Sequence, residues 1–249
     1  MPHTERTVVC LKWGDRYSAK WVNLLYKGVK NNLKGPFHFV CFTEDPKGID
    51  AAVEVRDLDM LKVGPEIDGI WCKLGMLHPQ AQLSGRCLYI DLDSLITGPL
   101  DDFFSYSDQF CIIHNWIERR KQIFRSRPKI GNSSVVSFDA GAYPDVAESF
   151  CRNPEHATDR RFFPTEQAYM THAVGVENIT WWPETWVRSF KRHCVPVFPL
   201  NYLQAPKLPE GTRILTFHGT PKQDQVTLQA TGHGHKFSRA MPELKKYWQ

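Results

Sequence analysis

The apolar run Cys87-Leu88-Tyr89-Ile90 passes without a break into Asp91-Leu92-Asp93-Ser94. A segment apolar on both alternating faces is stable in water only when both faces are covered, as in a central strand of an α/β sheet. Two carboxylates at the carboxyl end of such a strand constrain the chain further, because that edge is where parallel sheets hold ligands. In extended chain, residues i and i+2 point to one side, so Asp91 and Asp93 are expected to converge on one hard cation. The same spacing also suits a structural role, in which Asp91 ends the strand and Asp93 begins a turn toward Gly98-Pro99.

The rest of the first half repeats the strand–helix alternation. Thr7-Val8-Val9-Cys10-Leu11 and Phe37 to Phe42 read as buried strands, and Ala52 to Val55 as a weaker third. Between the first two, Ser18 to Val29 has helical spacing, with Trp21, Leu24, Leu25 and Val29 on one face. Trp71 to Leu83 reads as a helix interrupted near Pro79. This order predicts βαβ units and a mostly parallel sheet. Beyond residue 108 the pattern loosens. Strands are expected over Phe110–Ile113, Ser133–Phe138 and Arg213–Phe217, and helices over Tyr143–Cys151 and Thr165–Val174. With no repeat and no low-complexity linker, residues 1–249 read as one domain with a regular half, 1–107, and a less regular half, 108–249.

Composition excludes several classes of function. A net charge of +4 on 249 residues is too mild to indicate nucleic acid, and 42% hydrophobic residues exclude global disorder. No stretch approaches the about 18 uninterrupted apolar residues of a membrane-spanning helix, and the first residues lack the apolar centre of a signal peptide. The seven cysteines are scattered, form no Cys-X-X-Cys pair and fall largely inside strand-like runs. That usage suits reduced thiols in a cytoplasmic protein rather than a disulfide framework or a zinc site.

Tyr89-Ile90-Asp91-Leu92-Asp93, followed by Gly98-Pro99-Leu100-Asp101-Asp102-Phe103-Phe104, resembles the Asp-X-Asp region of GT-A glycosyltransferases. It is most similar to glycosyltransferase family 8, the glycogenin-like enzymes and bacterial lipopolysaccharide galactosyl- and glucosyltransferases. The resemblance implies an α/β, GT-A-like, mostly parallel but mixed sheet flanked by helices in a single domain. It also implies a nucleotide-binding first half and a sugar- and acceptor-binding second half. In the family the two aspartates hold Mn2+, with Mg2+ as the alternative, against the diphosphate of a nucleotide sugar. Asp91 and Asp93 would take that role, with Leu92 between them at the nucleotide.

Other segments match in family order. The opening strand with Lys12 and Tyr17 resembles the nucleotide-binding start of the sheet, and Cys72-Lys73-Leu74 resembles a helix whose lysine faces the metal–diphosphate region. Asn132-Ser133-Ser134-Val135 resembles a strand whose polar start contacts the donor sugar, although the usual glycine is missing. Thr165-Glu166-Gln167-Ala168 resembles the Asp-Gln pair beside the donor sugar, with Glu166 in place of aspartate; Glu166 and Gln167 are the expected catalytic residues. Leu215-Thr216-Phe217-His218-Gly219-Thr220-Pro221-Lys222 resembles the segment whose histidine completes the metal site and whose glycine and lysine contact phosphate. Here the lysine comes early and no tryptophan follows it.

Each of these residues also has an ordinary reading. Lys73 can be a solvated helix lysine, Asn132 a turn residue, and His218 a structural histidine. Thr165 can be an N-cap followed by the acidic first turn that a helix dipole favours. Arg119, Arg120, Lys121, Arg125, Arg127 and Lys129 form either a solvated loop or a contact for an anionic acceptor or a membrane carrying a lipid-linked glycan. No aromatics interleave them, so a nucleic-acid groove is not expected. The expectation is a Mn2+-dependent transferase moving a hexose from a UDP-sugar to a glycan or glycoconjugate, without a transmembrane segment and with peripheral membrane contact allowed. The alternative is a non-catalytic nucleotide-sugar or glycan-binding module on the same scaffold. A sugar-phosphate nucleotidyltransferase ranks lower, because residues 8–18 contain only Gly14 where a glycine-rich loop is needed.

Overall fold

The first strand, β1 (Arg6–Lys12), is buried along almost its whole length and lies between β2 (His38–Thr43) and β4 (Arg86–Ile90), parallel to both. The structure, a computed structural model, describes residues 5–64, 67–116 and 127–248. Four further strands complete a seven-stranded sheet: β3 (Glu54–Arg56), β6 (Phe110–His114), β7 (Gly131–Asp139) and β8 (Ile179–Trp181). The order is β3-β2-β1-β4-β7-β6-β8. Within it β7 runs antiparallel to both neighbours and the other pairings are parallel, so the sheet is mixed. It draws strands from both halves of the chain.

Alternation along the strands feeds two cores. Val9, Leu11, Val40, Phe42, Cys87, Tyr89, Ile112 and Val136 face one side. There they meet α2 (Cys72–Gly75), α3 (Pro144–Arg152) and α5 (Glu166–Val174); a short α4 (Pro154–Thr158) follows α3. Val8, Cys10, Phe39, Cys41, Leu88, Ile90 and Val135 face the other side, against α1 (Ala19–Asn32). Burial on both faces is why these strands read as continuous apolar runs. The described cysteines carry no disulfide, and burial pushes the Cys72 thiol up to about 11 and that of Cys87 to about 12, leaving them unreactive.

Three departures from the sequence expectation bear on the site. Of the face expected on α1, Leu25 and Val29 are buried, but Trp21 and Leu24 are only half-buried and Val22 and Gly28 take their place. The expected Trp71–Leu83 helix breaks into a 3-10 turn at Gly69–Trp71, the single turn α2, and another 3-10 turn at Pro79–Ala81. Pro79 has no amide proton to continue a helix, and Gln82 adopts a left-handed φ of 52° that ends the last turn. Lastly, a small second sheet, in the order β5-β10-β9, is built from β5 (Ser94–Ile96), β9 (Val187–Ser189) and β10 (Ile214–Thr216). Its own core of Leu95, Phe190, Leu215, Phe217, Val226 and Met241 gathers the last part of the chain, including α6 (Gln223–Leu228).

The single turn α2 sits hard against the 3-10 turn Leu58–Leu61. A Cβ on Gly75 would lie 1.8 Å from the Leu61 carbonyl oxygen, a backbone atom that cannot swing aside. Glycine is therefore required where α2 crosses that turn. Gly75→Ala is expected to lower the unfolding free energy by about 1–3 kcal/mol through overpacking. Urea titration would show this as a lower midpoint, and an unchanged midpoint would mean that the turn yields freely.

Candidate functional site

Strand β4 stops at Ile90, and the Ser94 amide donates to the Asp91 carbonyl at 3.0 Å. Asp91 and Asp93 thus lie on a tight turn between the two sheets, not on one face of an extended strand as alternation predicts. The turn is held on both sides: the Asp91 amide donates to Ser134 O at 2.9 Å, and the Phe217 amide donates to Asp93 O at 2.9 Å. The Leu92 side chain is buried in the α1-side core and anchors the turn.

Each aspartate holds a lysine. One oxygen of Asp91 accepts the Tyr89 hydroxyl at 2.6 Å and lies 2.7 Å from the Lys73 ammonium. Lys73 is only 3% exposed. Burial disfavours its charge, but Asp91 and then Glu166 outweigh burial and hold its pKa above the ordinary lysine value. The same ammonium donates to Ser133 Oγ at 3.4 Å, and that hydroxyl donates to Glu166 Oε1 at 2.6 Å. The Ser133 amide donates to the Gln167 side-chain oxygen at 3.3 Å. Thr165 does cap α5, accepting from the Ala168 amide, and the turn it starts aims a buried Glu166 inward rather than at solvent. Ser133 reaches these groups because the β6–β7 register jumps from Ile112↔Val136 to Ile113↔Asn132, a bulge that re-aims the start of β7. Asn132 turns its side-chain oxygen to the Ser134 amide at 3.1 Å and stabilises that bulge.

Asp93 forms the second pair. One of its oxygens lies 2.7 Å from the Lys222 ammonium and accepts the Tyr17 hydroxyl at 2.9 Å; Lys222 also bonds the Tyr17 oxygen. Burial, then the neighbouring Asp91, raises the Asp93 pKa against the opposing pull of Lys222. Burial and Asp93 likewise drive the Tyr17 phenol upward. Lys222 precedes α6 and ties that segment across to the aspartate turn and to the chain after β1.

The other expected residues are placed differently. Lys12, 3% exposed, points its ammonium to the carbonyl and carboxylate of Asp45, at 3.2 and 3.3 Å, beyond the end of β2. It lies on the same sheet edge but outside the cluster around Asp91 and Asp93. His218 packs its ring on Trp116, with centroids 5.9 Å apart, and its Nε2 is 3.4 Å from Ser189 Oγ. Its Nδ1 is buried without a hydrogen-bond partner, and burial, followed by Lys191, Arg192 and Lys222, lowers its pKa to about 4. Gly219 has a left-handed φ of 72° and passes close to the Lys191 ammonium, which donates to His218 O at 2.7 Å. Among the described residues no three His, Cys, Asp or Glu side chains stand close enough to hold a metal ion, so the expected set of Asp91, Asp93 and His218 is not closed in this arrangement. Of the basic stretch, Arg119, Arg120, Lys121 and Arg125 lie outside the described residues, and Arg127 bonds the carbonyl of Asn115 and the carboxylate of Glu184.

Tyr89 and Lys191 were not expected from the sequence. The alternation applied to Asp91 and Asp93 would have found Tyr89, which lies two residues before Asp91. Lys191 carries no local signal, because only the small sheet brings the chain after β9 beside His218.

The two lysines differ in burial, and so should their variants. Lys73→Met would leave Asp91 and Glu166 without a cation in a closed site and should cost about 3 kcal/mol or more of unfolding free energy. Lys222 keeps 14% exposure against 4% for Lys73 and faces one carboxylate rather than two, so Lys222→Met should cost less, about 2 kcal/mol. Urea unfolding of both variants checks the order; equal losses would mean that the Lys73 network is not specially buried.

No protein-family model and no curated protein sequence matches this chain. Solved structures do match in fold. The glycosyltransferase GlyE of Streptococcus pneumoniae TIGR4 superposes with a TM-score of 0.62 at 11% identity, over 98% of this chain and 61% of that one. The galactosyltransferase LgtC, solved with donor and acceptor sugar analogues, gives 0.54 at 12% identity, over 87% and 88%. The bifunctional glycosyltransferase WbbM gives 0.59 at 10% identity, over 94% and 48%. The chain therefore spans about three fifths of GlyE and half of WbbM. At these identities the likeness is one of architecture: this chain has the GT-A glycosyltransferase fold, similar to that of LgtC and GlyE.

Proposed function

We propose that this chain transfers a hexose from a nucleotide sugar, with a UDP-sugar as the favoured donor, to a glycan or glycoconjugate acceptor. The observation that carries this reading is the buried chain of contacts from Asp91 through Lys73 and Ser133 to Glu166 and Gln167. It joins segments distant in sequence at the carboxyl edge of the parallel strands, where such sheets hold ligands. A departing nucleoside diphosphate develops negative charge, and Lys73 and Lys222 are placed to receive it once their carboxylates are otherwise compensated. Glu166 and Gln167 would lie beside the donor sugar.

The side chains present suit Mn2+. Asp91 and Asp93 offer carboxylate oxygens, and His218 offers a neutral imidazole whose Nδ1 is buried and unpartnered. A mixed oxygen and nitrogen set favours manganese over magnesium. Asp91, Asp93 and His218 would hold the ion, and Lys73 and Lys222 would turn to phosphate oxygens. Bound there, the cation would supply charge neutralisation to the leaving diphosphate without a proton. UDP is expected to bind about tenfold or more tightly with Mn2+ than with a chelator; equal affinities by titration calorimetry would remove the metal from this account.

One observation favours a second reading. Both aspartates are already paired with lysines, which is also how a module that binds sugar nucleotides without turning them over could be built. Hydrolysis of UDP-glucose or UDP-galactose with Mn2+ separates the two. Asp93→Asn keeps the shape of the turn while removing its charge, and should lower transfer or hydrolysis about a hundredfold. Turnover at the parent rate would leave the catalytic reading without its anchor.

A further inference from the structure

Strand β9 runs parallel to β10 in the register Ser189↔Thr216, which brings Lys191 and His218 out of the small sheet side by side. Past Ser189 the chain makes one π-helical turn, Phe190–Cys194, closed by the Val195 amide on the Phe190 carbonyl at 3.3 Å. Such wide turns are rare and recur at functional sites. Phe190 and Cys194 are buried in the core of the small sheet, and the Ser189 amide donates to His193 Nδ1 at 2.8 Å. Lys191 is thereby carried on an anchored turn, not on a loose loop.

Its ammonium donates to the His218 carbonyl at 2.7 Å, and a Cβ on Gly219 would stand 3.3 Å from it. The Lys222 ammonium donates to the preceding carbonyl, that of Phe217, at 3.4 Å. Two lysines from different segments thus hold successive carbonyls just past β10. They differ in what else they meet. Lys222 has Asp93 at 2.7 Å, whereas among the described residues Lys191 has no carboxylate within ion-pair distance. Burial, then the charge of Lys222, presses the Lys191 pKa below the ordinary lysine value, and Arg192 and Lys236 add to this. A half-buried cation among other cations is stabilised by an incoming anion.

Charge balance says which anion. A divalent ion and the diphosphate of a nucleotide sugar offset each other, while Asp91, Asp93 and Glu166 exceed Lys73 and Lys222 by one charge. Lys191 supplies the missing positive charge, and it does so beside Lys222. We infer that Lys191 binds an oxygen of the donor's diphosphate next to Lys222, as a third lysine on that group. The inference rests on the nucleotide-sugar reading above and adds to it a residue that none of the recognised segments contains.

Titration calorimetry of the full chain with UDP and Mn2+ tests it. Lys191→Met removes the charge and the hydrogen bond to His218, whereas Lys191→Gln removes the charge and keeps a side-chain N–H. Both are expected to bind UDP about tenfold more weakly than the parent, and the gap should narrow as salt rises. Lys191→Arg, which keeps the charge, should recover most of the affinity. Melting temperatures taken alongside show which variants are folded, and either neutral variant carries the test if the other unfolds early. Parent-like UDP binding by Lys191→Gln, with loss in Lys191→Met alone, would make Lys191 a brace for the His218 carbonyl and overturn the inference. Unchanged UDP affinity in both neutral variants, with only transfer impaired, would assign the cation to an anionic acceptor and overturn it too. In either case the nucleotide-sugar reading stands; a parent chain that does not bind UDP would overturn both.

Discussion

An ammonium group closed off from water must be met by negative charge and hydrogen-bond acceptors, or it will not stay charged. Lys73 is such a group, and much of the molecule is arranged to satisfy it. Asp91 has to end β4 at the right height, Ser133 has to leave the β7 ladder through a bulge, and Glu166 has to face inward from the first turn of α5. The lysine arrives only because α2 lies against Leu61 at a distance that glycine alone permits. A strand end, a bulge, a helix cap and a glycine contact thus serve one buried charge.

The Lys222 pair does different work. Its lysine is less buried than Lys73, and the pair connects α6 to the turn and to Tyr17 across more than half the chain length. It sits where the small sheet meets the large one, and Lys191 and Arg192 lie on the same side near His218. The site therefore combines acidic residues on the turn with cations from the last part of the chain. An anion of several charges can draw the lysines away from the carboxylates, and the carboxylates are then free for a cation. That exchange is what a diphosphate and a divalent ion would together bring.

The surface of residues 197–203 obeys a different constraint. Its apolar side chains are displayed by a braced scaffold rather than buried, although the adjoining core around Phe217 takes Phe190, Cys194 and Met241 from the neighbouring chain. Bracing removes the option of folding the apolar tip inward, so the exposure is built into the fold.

The sequence alone determined the large sheet's parallel strands, the two-sided burial of β1, β2 and β4, the start of α5 at Thr165 and the placement of two carboxylates just past a central strand. Those follow from periodicity and capping, which are local. It also put Lys73, Ser133, Glu166 and Gln167 among the site residues by ordered resemblance, and the structure brings these four together with Asp91. Only the tertiary structure decided that the aspartates meet on a turn, that Tyr89 and Lys73 share one carboxylate oxygen, and that Lys12 turns away to Asp45. Of the small sheet only β10 was legible, inside the strand expected over Arg213–Phe217; β5 and β9, three residues each, are strands only because they pair with it. A short strand has too few residues to show a period, and the partner of a buried charge is chosen by whichever acceptors the packed fold brings within reach.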